Sequence, residues 1–157
     1  MTAKYSALNY LLYLLSKRDY SELELKRKLK LKAYTNDEIE QAMSKAQENH
    51  WQSDERFCAS YLRYRALQGY GPRRLRQELL QKGIKDWMIQ QALDNCEVDW
   101  FELAESVFEK KRPHVWDLKA KQKMWRYMIS HGFANDHFSH LMDLDYGDNY
   151  DAEYTDE

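Results

Sequence analysis

Residues 53–95 read SDERFCASYLRYRALQGYGPRRLRQELLQKGIKDWMIQQALDN, and this stretch decides the fold. Ser53 is a helix-capping residue followed by Asp54 and Glu55, which sit where the positive end of a helix dipole favours carboxylates. The helix runs to about Leu67, because Phe57, Cys58, Tyr61 and Leu62 recur at one-turn spacing and make one apolar stripe. Gly69 supplies a left-handed residue to close it. Gly71-Pro72 restarts the chain, since proline suits the first helical position, where its missing N–H has no intrahelical partner. A second helix, from about Pro72 to Lys82, turns Leu75, Leu79 and Leu80 inward and carries Arg73, Arg74 and Arg76 on its flanks or outer side. Gly83 ends it, and Lys85-Asp86 open a third helix with Ile89, Ala92, Leu93 and Cys96 on one face.

The flanking sequence repeats this three-helix unit. A shift of fifty residues superposes Leu25, Leu29, Ala33, Ile39 and Met43 on Leu75, Leu79, Gly83, Ile89 and Leu93. A shift of forty-nine in the other direction brings Met124, Met128, Gly132, Phe133, Phe138 and Met142 onto the same unit. In the first copy Leu8, Leu11, Leu12 and Leu15 form the first stripe, and Ser21 with Glu24 and Thr35 with Glu38 fit the capping box. In the third copy Pro113 interrupts the first connection, so a longer linker is expected around 112–116. The spacing predicts an all-α chain of three tandem three-helix repeats, 1–50, 51–97 and 98–142, stacked into an elongated curved molecule. Residues 143–157 hold seven acidic side chains and no Lys or Arg, which predicts a disordered tail.

Composition supports the same class. The chain has 157 residues, 32% charged and 43% hydrophobic, with five glycines and two prolines, too few turn-formers for a sheet-based fold. No apolar run is long enough to span a membrane and no signal-peptide pattern occurs, so a cytosolic location is expected. The net charge of −2 conceals a body of 24 basic and 19 acidic residues once the tail is set apart, a balance compatible with a polyanionic partner.

Catalytic constellations are wanting. His131, His137 and His140 lie within ten residues, yet no cysteine or carboxylate pattern completes a tetrahedral metal set, and Cys58 and Cys96 sit on apolar faces as small core residues. There is no phosphate-cradling glycine loop and no nucleophile elbow, so neither an enzyme nor a cofactor is expected. Basic residues form two clusters, Lys17, Arg18, Lys26, Arg27, Lys28, Lys30 and Lys32 in the first repeat and Arg63, Arg65, Arg73, Arg74, Arg76 and Lys82 in the second. The second is arginine-rich, suits bidentate contacts, and is held at a junction fixed by Gly69, Gly71 and Pro72. Of the aromatic residues Tyr61, Tyr64, Trp87, Trp100, Trp116 and Trp125, helical spacing assigns most to core or inter-repeat packing.

The residues SDERF, Tyr61, Arg65, GYGPRRLRQEL and KGI with Ile89, Ala92 and Leu93 together resemble the signature of the RecX family, bacterial regulators of the RecA recombinase. The resemblance implies a nine-helix protein that binds RecA filaments and suppresses their growth, ATP hydrolysis, strand exchange and coprotease activity; weak non-specific DNA binding is compatible with it, and nothing in the sequence demands more than a monomer. The resemblance places Arg63, Arg65, Arg73, Arg74, Arg76 and Lys82 at the partner surface. A helical module that binds nucleic acid directly is the competing reading, since three-helix units with basic second or third helices enter DNA grooves.

Overall fold

In a computed structural model the described residues are 5–143; they form nine α-helices and, among the described residues, no strand. In chain order these are α1 (Ala7–Leu15), α2 (Glu22–Leu31), α3 (Asn36–Glu48), α4 (Asp54–Leu67), α5 (Pro72–Gln81), α6 (Asp86–Asn95), α7 (Trp100–Lys111), α8 (Leu118–Ser130) and α9 (Asn135–Met142). The all-α class of three-helix repeats read from the sequence is what the chain adopts. The acidic tail lies outside the described residues beyond Asp143.

Local chemistry explains where the helices start. At α2 the Glu24 N–H donates to Ser21 Oγ at 3.2 Å and the Ser21 N–H donates to Glu24 Oε1 at 3.0 Å, a complete capping box. Thr35 and Glu38 make the same reciprocal pair before α3, at 3.2 and 2.8 Å. Ser53 Oγ accepts the Arg56 N–H at 3.1 Å. Asp99 and Asp117 cap α7 and α8 by accepting from the N–H groups of Glu102 and Ala120. Each such cap supplies a partner to an N–H that the helix itself leaves unbonded, a contribution of about 1 kcal/mol.

The second helix of every repeat ends in one backbone motif. Ala33, Gly83 and Gly132 have φ of 66°, 82° and 97°. The next N–H reaches back to a carbonyl five residues earlier: Tyr34 to Leu29 at 3.3 Å, Ile84 to Leu79 at 3.1 Å and Phe133 to Met128 at 3.2 Å. These are the long hydrogen bonds of the Schellman motif, and the apolar pair that usually accompanies them is buried in all three copies. The repeat seen as a sequence shift is therefore also a repeat of backbone conformation.

By compactness the chain forms two units, Met1–Arg63 with Arg76–Cys96 and Tyr64–Leu75 with Glu97–Glu157, so α4 and α5 contribute to both. In the first unit α1 packs on α2 and α3 around Leu11, Leu25, Leu29, Ile39 and Met43, while Phe57, Cys58, Leu79, Ile84 and Ile89 make a second buried cluster. The first and second repeats meet here through specific polar contacts. The Glu22 N–H donates to Asp54 Oδ1 at 2.8 Å, and buried Gln52 donates to that same oxygen at 2.9 Å and to the Tyr20 carbonyl at 3.3 Å. In the second unit Ala104, Phe108, Met124, Met128, Phe133, Phe138 and Leu141 form the core. There the Gly71 N–H donates to the His131 carbonyl at 2.6 Å, and a Cβ at position 71 would lie 2.6 Å from the Gly132 carbonyl group. Only glycine permits that approach.

Four expectations need correction. The buried stripe of α1 is Ala7, Leu11 and Leu14, with Leu8, Leu12 and Leu15 only half-buried. Leu80 is 46% exposed, because the adjacent Leu79 already fills the inward position. Cys96 follows α6 as its C-cap instead of lying on its face. The linker before α8 occupies 112–117, one residue longer than the spacing suggested.

Repeat-equivalent substitutions should have opposite signs. Gly83→Val should destabilise by more than about 1 kcal/mol, since φ is left-handed and an added Cβ meets the Leu23 Cβ at 2.7 Å. Exposed Ala33 holds a left-handed φ without glycine, so Ala33→Gly should stabilise by about 1 kcal/mol, raising Tm by roughly 2–4 °C in thermal unfolding.

Candidate partner interface

The six expected interface residues come from three places: Arg63 and Arg65 on α4, Arg73, Arg74 and Arg76 on α5, and Lys82 just past its end. They also divide between the units, with Arg63, Arg76 and Lys82 in the first and Arg65, Arg73 and Arg74 in the second.

In the first unit two of the three are already occupied. Arg76 bonds Asp86 Oδ1 at 2.5 Å and also donates to Gln90 Oε1, tying α5 to α6. Lys82 Nζ sits 3.0 Å from Glu24 Oε2 and 5.4 Å from the centre of the Tyr61 ring. Glu24 is only 14% exposed, and Arg18 reaches it at 3.3 Å from the other side. Burial pushes the Glu24 carboxyl pKa up, but the hydrogen bonds from the Ser21 N–H, Lys82 and Arg18 outweigh it and hold the group below its ordinary value. One carboxylate thus caps α2 and links the first repeat to the second. Arg63 is exposed and, among the described residues, joins no ion pair.

In the second unit the arginines are organised by a residue that the sequence pattern did not single out. The guanidinium carbons of Arg65 and Arg74 lie 4.1 and 4.4 Å from the Tyr70 ring centre, and the His131 ring stacks on Tyr70 at 5.0 Å. Such cation–π contacts are worth about 0.5–1 kcal/mol each where partly exposed. Arg65 also donates to Gln68 Oε1 at 2.6 Å and Arg74 to the Ser130 carbonyl at 3.2 Å. Arg73 uses its backbone N–H on the Gly132 carbonyl at 2.9 Å, while its side chain is exposed and, among the described residues, free of ion pairs. Tyr70 has no helical periodicity to betray it. The available signal is an aromatic residue between Gly69 and Gly71 with arginines on the helices at either side.

Two of the histidines, His131 and His137, have structural roles. His131 Nδ1 lies 3.0 Å from the Tyr127 carbonyl, and His137 Nδ1 accepts the Ala134 N–H at 3.0 Å, which caps α9. Burial lowers the pKa of both imidazoles. Among the described residues no three His, Cys, Asp or Glu side chains gather to hold a metal, and no helix is long and apolar enough to cross a membrane. Cys58 is fully buried, and burial with the nearby Asp54 charge pushes its thiol up to about 11. Of the six aromatic residues, Tyr64, Trp87 and Trp125 are exposed, although Trp125 packs edge-on against Phe138 at 5.0 Å.

Residues 53–93 match the second three-helix domain of RecX, and residues 7–45 match the first. The chain is 71% identical over 144 residues to the regulatory protein RecX of Actinobacillus pleuropneumoniae serotype 5b, covering 92% of this chain and 95% of that one. It is 65% identical over 142 residues to the regulatory protein RecX of Haemophilus ducreyi, covering 90% and 94%. A crystal structure of a regulatory protein RecX superposes with a TM-score of 0.74 at 25% identity over 88% of this chain and 70% of that one. RecX from Lactobacillus salivarius shares the fold, with a TM-score of 0.75 at 22% identity over 88% and 96%.

The Glu24 carboxyl has a lowered pKa in the folded state, so its stabilising contribution is present above 4.5 and is lost as pH falls below that value. Glu24→Gln should therefore destabilise the protein near neutral pH, with the gap from the parent closing as the acid limb is entered, as read by urea unfolding across pH. The burial of Cys58 predicts that a thiol reagent at mildly alkaline pH labels the half-buried Cys96 first and reaches Cys58 only on unfolding.

Proposed function

The chain belongs to the RecX family, and from that premise we propose that it is a negative regulator of the RecA recombinase. It binds the RecA–DNA filament and opposes filament extension, ATP hydrolysis, strand exchange and coprotease activity, damping recombination and the SOS response in the cytoplasm. The observation that carries this reading is 71% identity across 92% of the chain with a relative named regulatory protein RecX.

The mechanism needs no catalytic group. A ligand shifts a conformational or assembly equilibrium only through its difference in affinity between the states, so inhibition follows if the chain binds one filament state more tightly than the states that hydrolyse and extend. A chain built from repeats offers repeated contacts to a partner that is itself a repeating polymer. Within the arginine-rich stretch, Arg63 and Arg73 are the groups with charge left to offer a carboxylate on the partner. Arg65 and Arg74 are placed by the Tyr70 ring, whose stacking preorganises their guanidinium planes for further contact. Arg76 and Lys82 have their charge engaged within the first unit, by Asp86 and Glu24.

The test is single-stranded-DNA-dependent ATP hydrolysis by RecA with the purified chain added. Turnover should fall as the chain is titrated, and a rate left unchanged at saturating chain overturns the proposal. Arg63→Glu and Arg73→Glu should each weaken inhibition about tenfold, the scale of one lost charged hydrogen bond, while leaving the helical circular-dichroism signal and Tm near those of the parent. Arg76→Glu should instead lower Tm by placing two carboxylates together at Asp86.

A further inference from the structure

A third basic cluster lies in the third repeat. Between Lys110 and Arg126 there are seven Lys and Arg side chains against one acid, Asp117. This segment forms the end of α7, the linker and α8 as far as Arg126, all within the second unit. An open cleft of about 570 Å³ lies along it.

The cleft has two kinds of lining. Lys111, Lys119 and Lys123 are exposed and, among the described residues, none of them is in an ion pair. Lys119 and Lys123 are one turn apart on α8, where like charges share a face and repel. Lys111 Nζ lies 5.3 Å from the centre of the Tyr127 ring. Asp117 also lines the cleft and caps α8 by accepting the Ala120 N–H at 2.8 Å, so the three ammonium groups face one carboxylate and the lining remains net positive. The remaining surface is apolar: Met124 is buried beneath the cleft, Tyr127 is half-buried, and Val115 is exposed.

Unpaired ammonium groups beside apolar surface fit a ligand with an anionic spine and flat apolar faces. A duplex presents phosphates but keeps its base faces stacked inside, whereas a single strand offers both at once. We propose that the α7–α8 cleft is a single-stranded nucleic-acid site, with backbone phosphates on Lys111, Lys119 and Lys123 and a base against Val115 and Tyr127. Lysine acts here as a point charge towards phosphate, so binding is independent of base sequence. The site needs no recombinase, and its success or failure is separable from that of the filament reading.

The test uses the full chain and a fluorescently labelled oligo-dT, with anisotropy titrations over a series of salt concentrations and no RecA present. Lys119→Ala with Lys123→Ala replaces two exposed residues by a strong helix former, so the fold is retained, as circular dichroism checks. This variant should bind roughly 10- to 100-fold more weakly at low salt, and its log–log salt slope should be shallower by about 1.4, two single-strand phosphate contacts. Val115→Ser should weaken binding and leave the slope unaltered. A duplex of equal length should bind several-fold more weakly than the single strand. Unlabelled oligo-U competing as well as oligo-dT supports a site that reads phosphate and base face without reading the 2′-position. Affinity and slope unchanged in the lysine variant overturn the proposal, as does a duplex that binds as tightly as the single strand or a Val115→Ser chain that binds like the parent.

Discussion

The left-handed residue that closes α2, α5 and α8 is the constraint on which the repeat depends. Helices of eight to fourteen residues such as these are marginal alone in water. Each second helix must therefore stop at a fixed place and return its chain to the core. Ala33, Gly83 and Gly132 do this with one positive φ, and the N–H of the following residue binds back over the helix end. The same step delivers Tyr34, Ile84 and Phe133 into buried positions at the head of the third helix. Termination, hydrogen bonding and core formation are one event in each repeat.

That coupling explains why so much of the fold was legible in the sequence. The glycines, the capping boxes and the proline at the start of α5 act locally, through the backbone of their own turn, so their meaning survives without knowledge of the rest of the chain. Ala33 shows the limit, because it adopts the same conformation as Gly83 with no residue type to announce it; only the fifty-residue shift points to it. Apolar stripes were read less well. The run from Ala7 to Leu15 is apolar at most positions, so periodicity alone does not choose between Leu11 with Leu14 and Leu11 with Leu12. Leu79 and Leu80 pose the same ambiguity, settled only by which of the two faces the neighbouring helix.

The candidate site was the least legible part, and the reason is the range over which charges act. Sequence places Arg63, Arg65, Arg73, Arg74, Arg76 and Lys82 in one stretch and makes them look alike. Several of their partners are remote in sequence: Lys82 meets Glu24, Arg74 meets Ser130, and Arg76 meets residues of α6. Partners of that kind carry no local signature, so a count of arginines overstates the charge left for a ligand. Tyr70 was missed for the complementary reason. Its role as the ring beneath two guanidinium groups arises from the turn between α4 and α5, where no period applies.

The two kinds of cation are suited to different partners. Arginine at the α4–α5 junction has a planar, delocalised head that stacks on Tyr70 and still presents donors in a fixed geometry, the property that suits bidentate recognition of carboxylates on a folded partner. Lysine dominates the α7–α8 segment, where a compact, strongly hydrated charge on a flexible stem tolerates a backbone whose phosphates differ in position from one nucleotide to the next. The second repeat thus holds Arg65, Arg74, Arg76 and Lys82 against fixed partners, whereas Lys119 and Lys123 of the third join, among the described residues, no ion pair. A regulator proposed to meet both a protein filament and the strand inside it requires that division, since rigid guanidinium planes confer selectivity where the partner's shape is constant, and unpaired ammonium groups retain affinity where it is not.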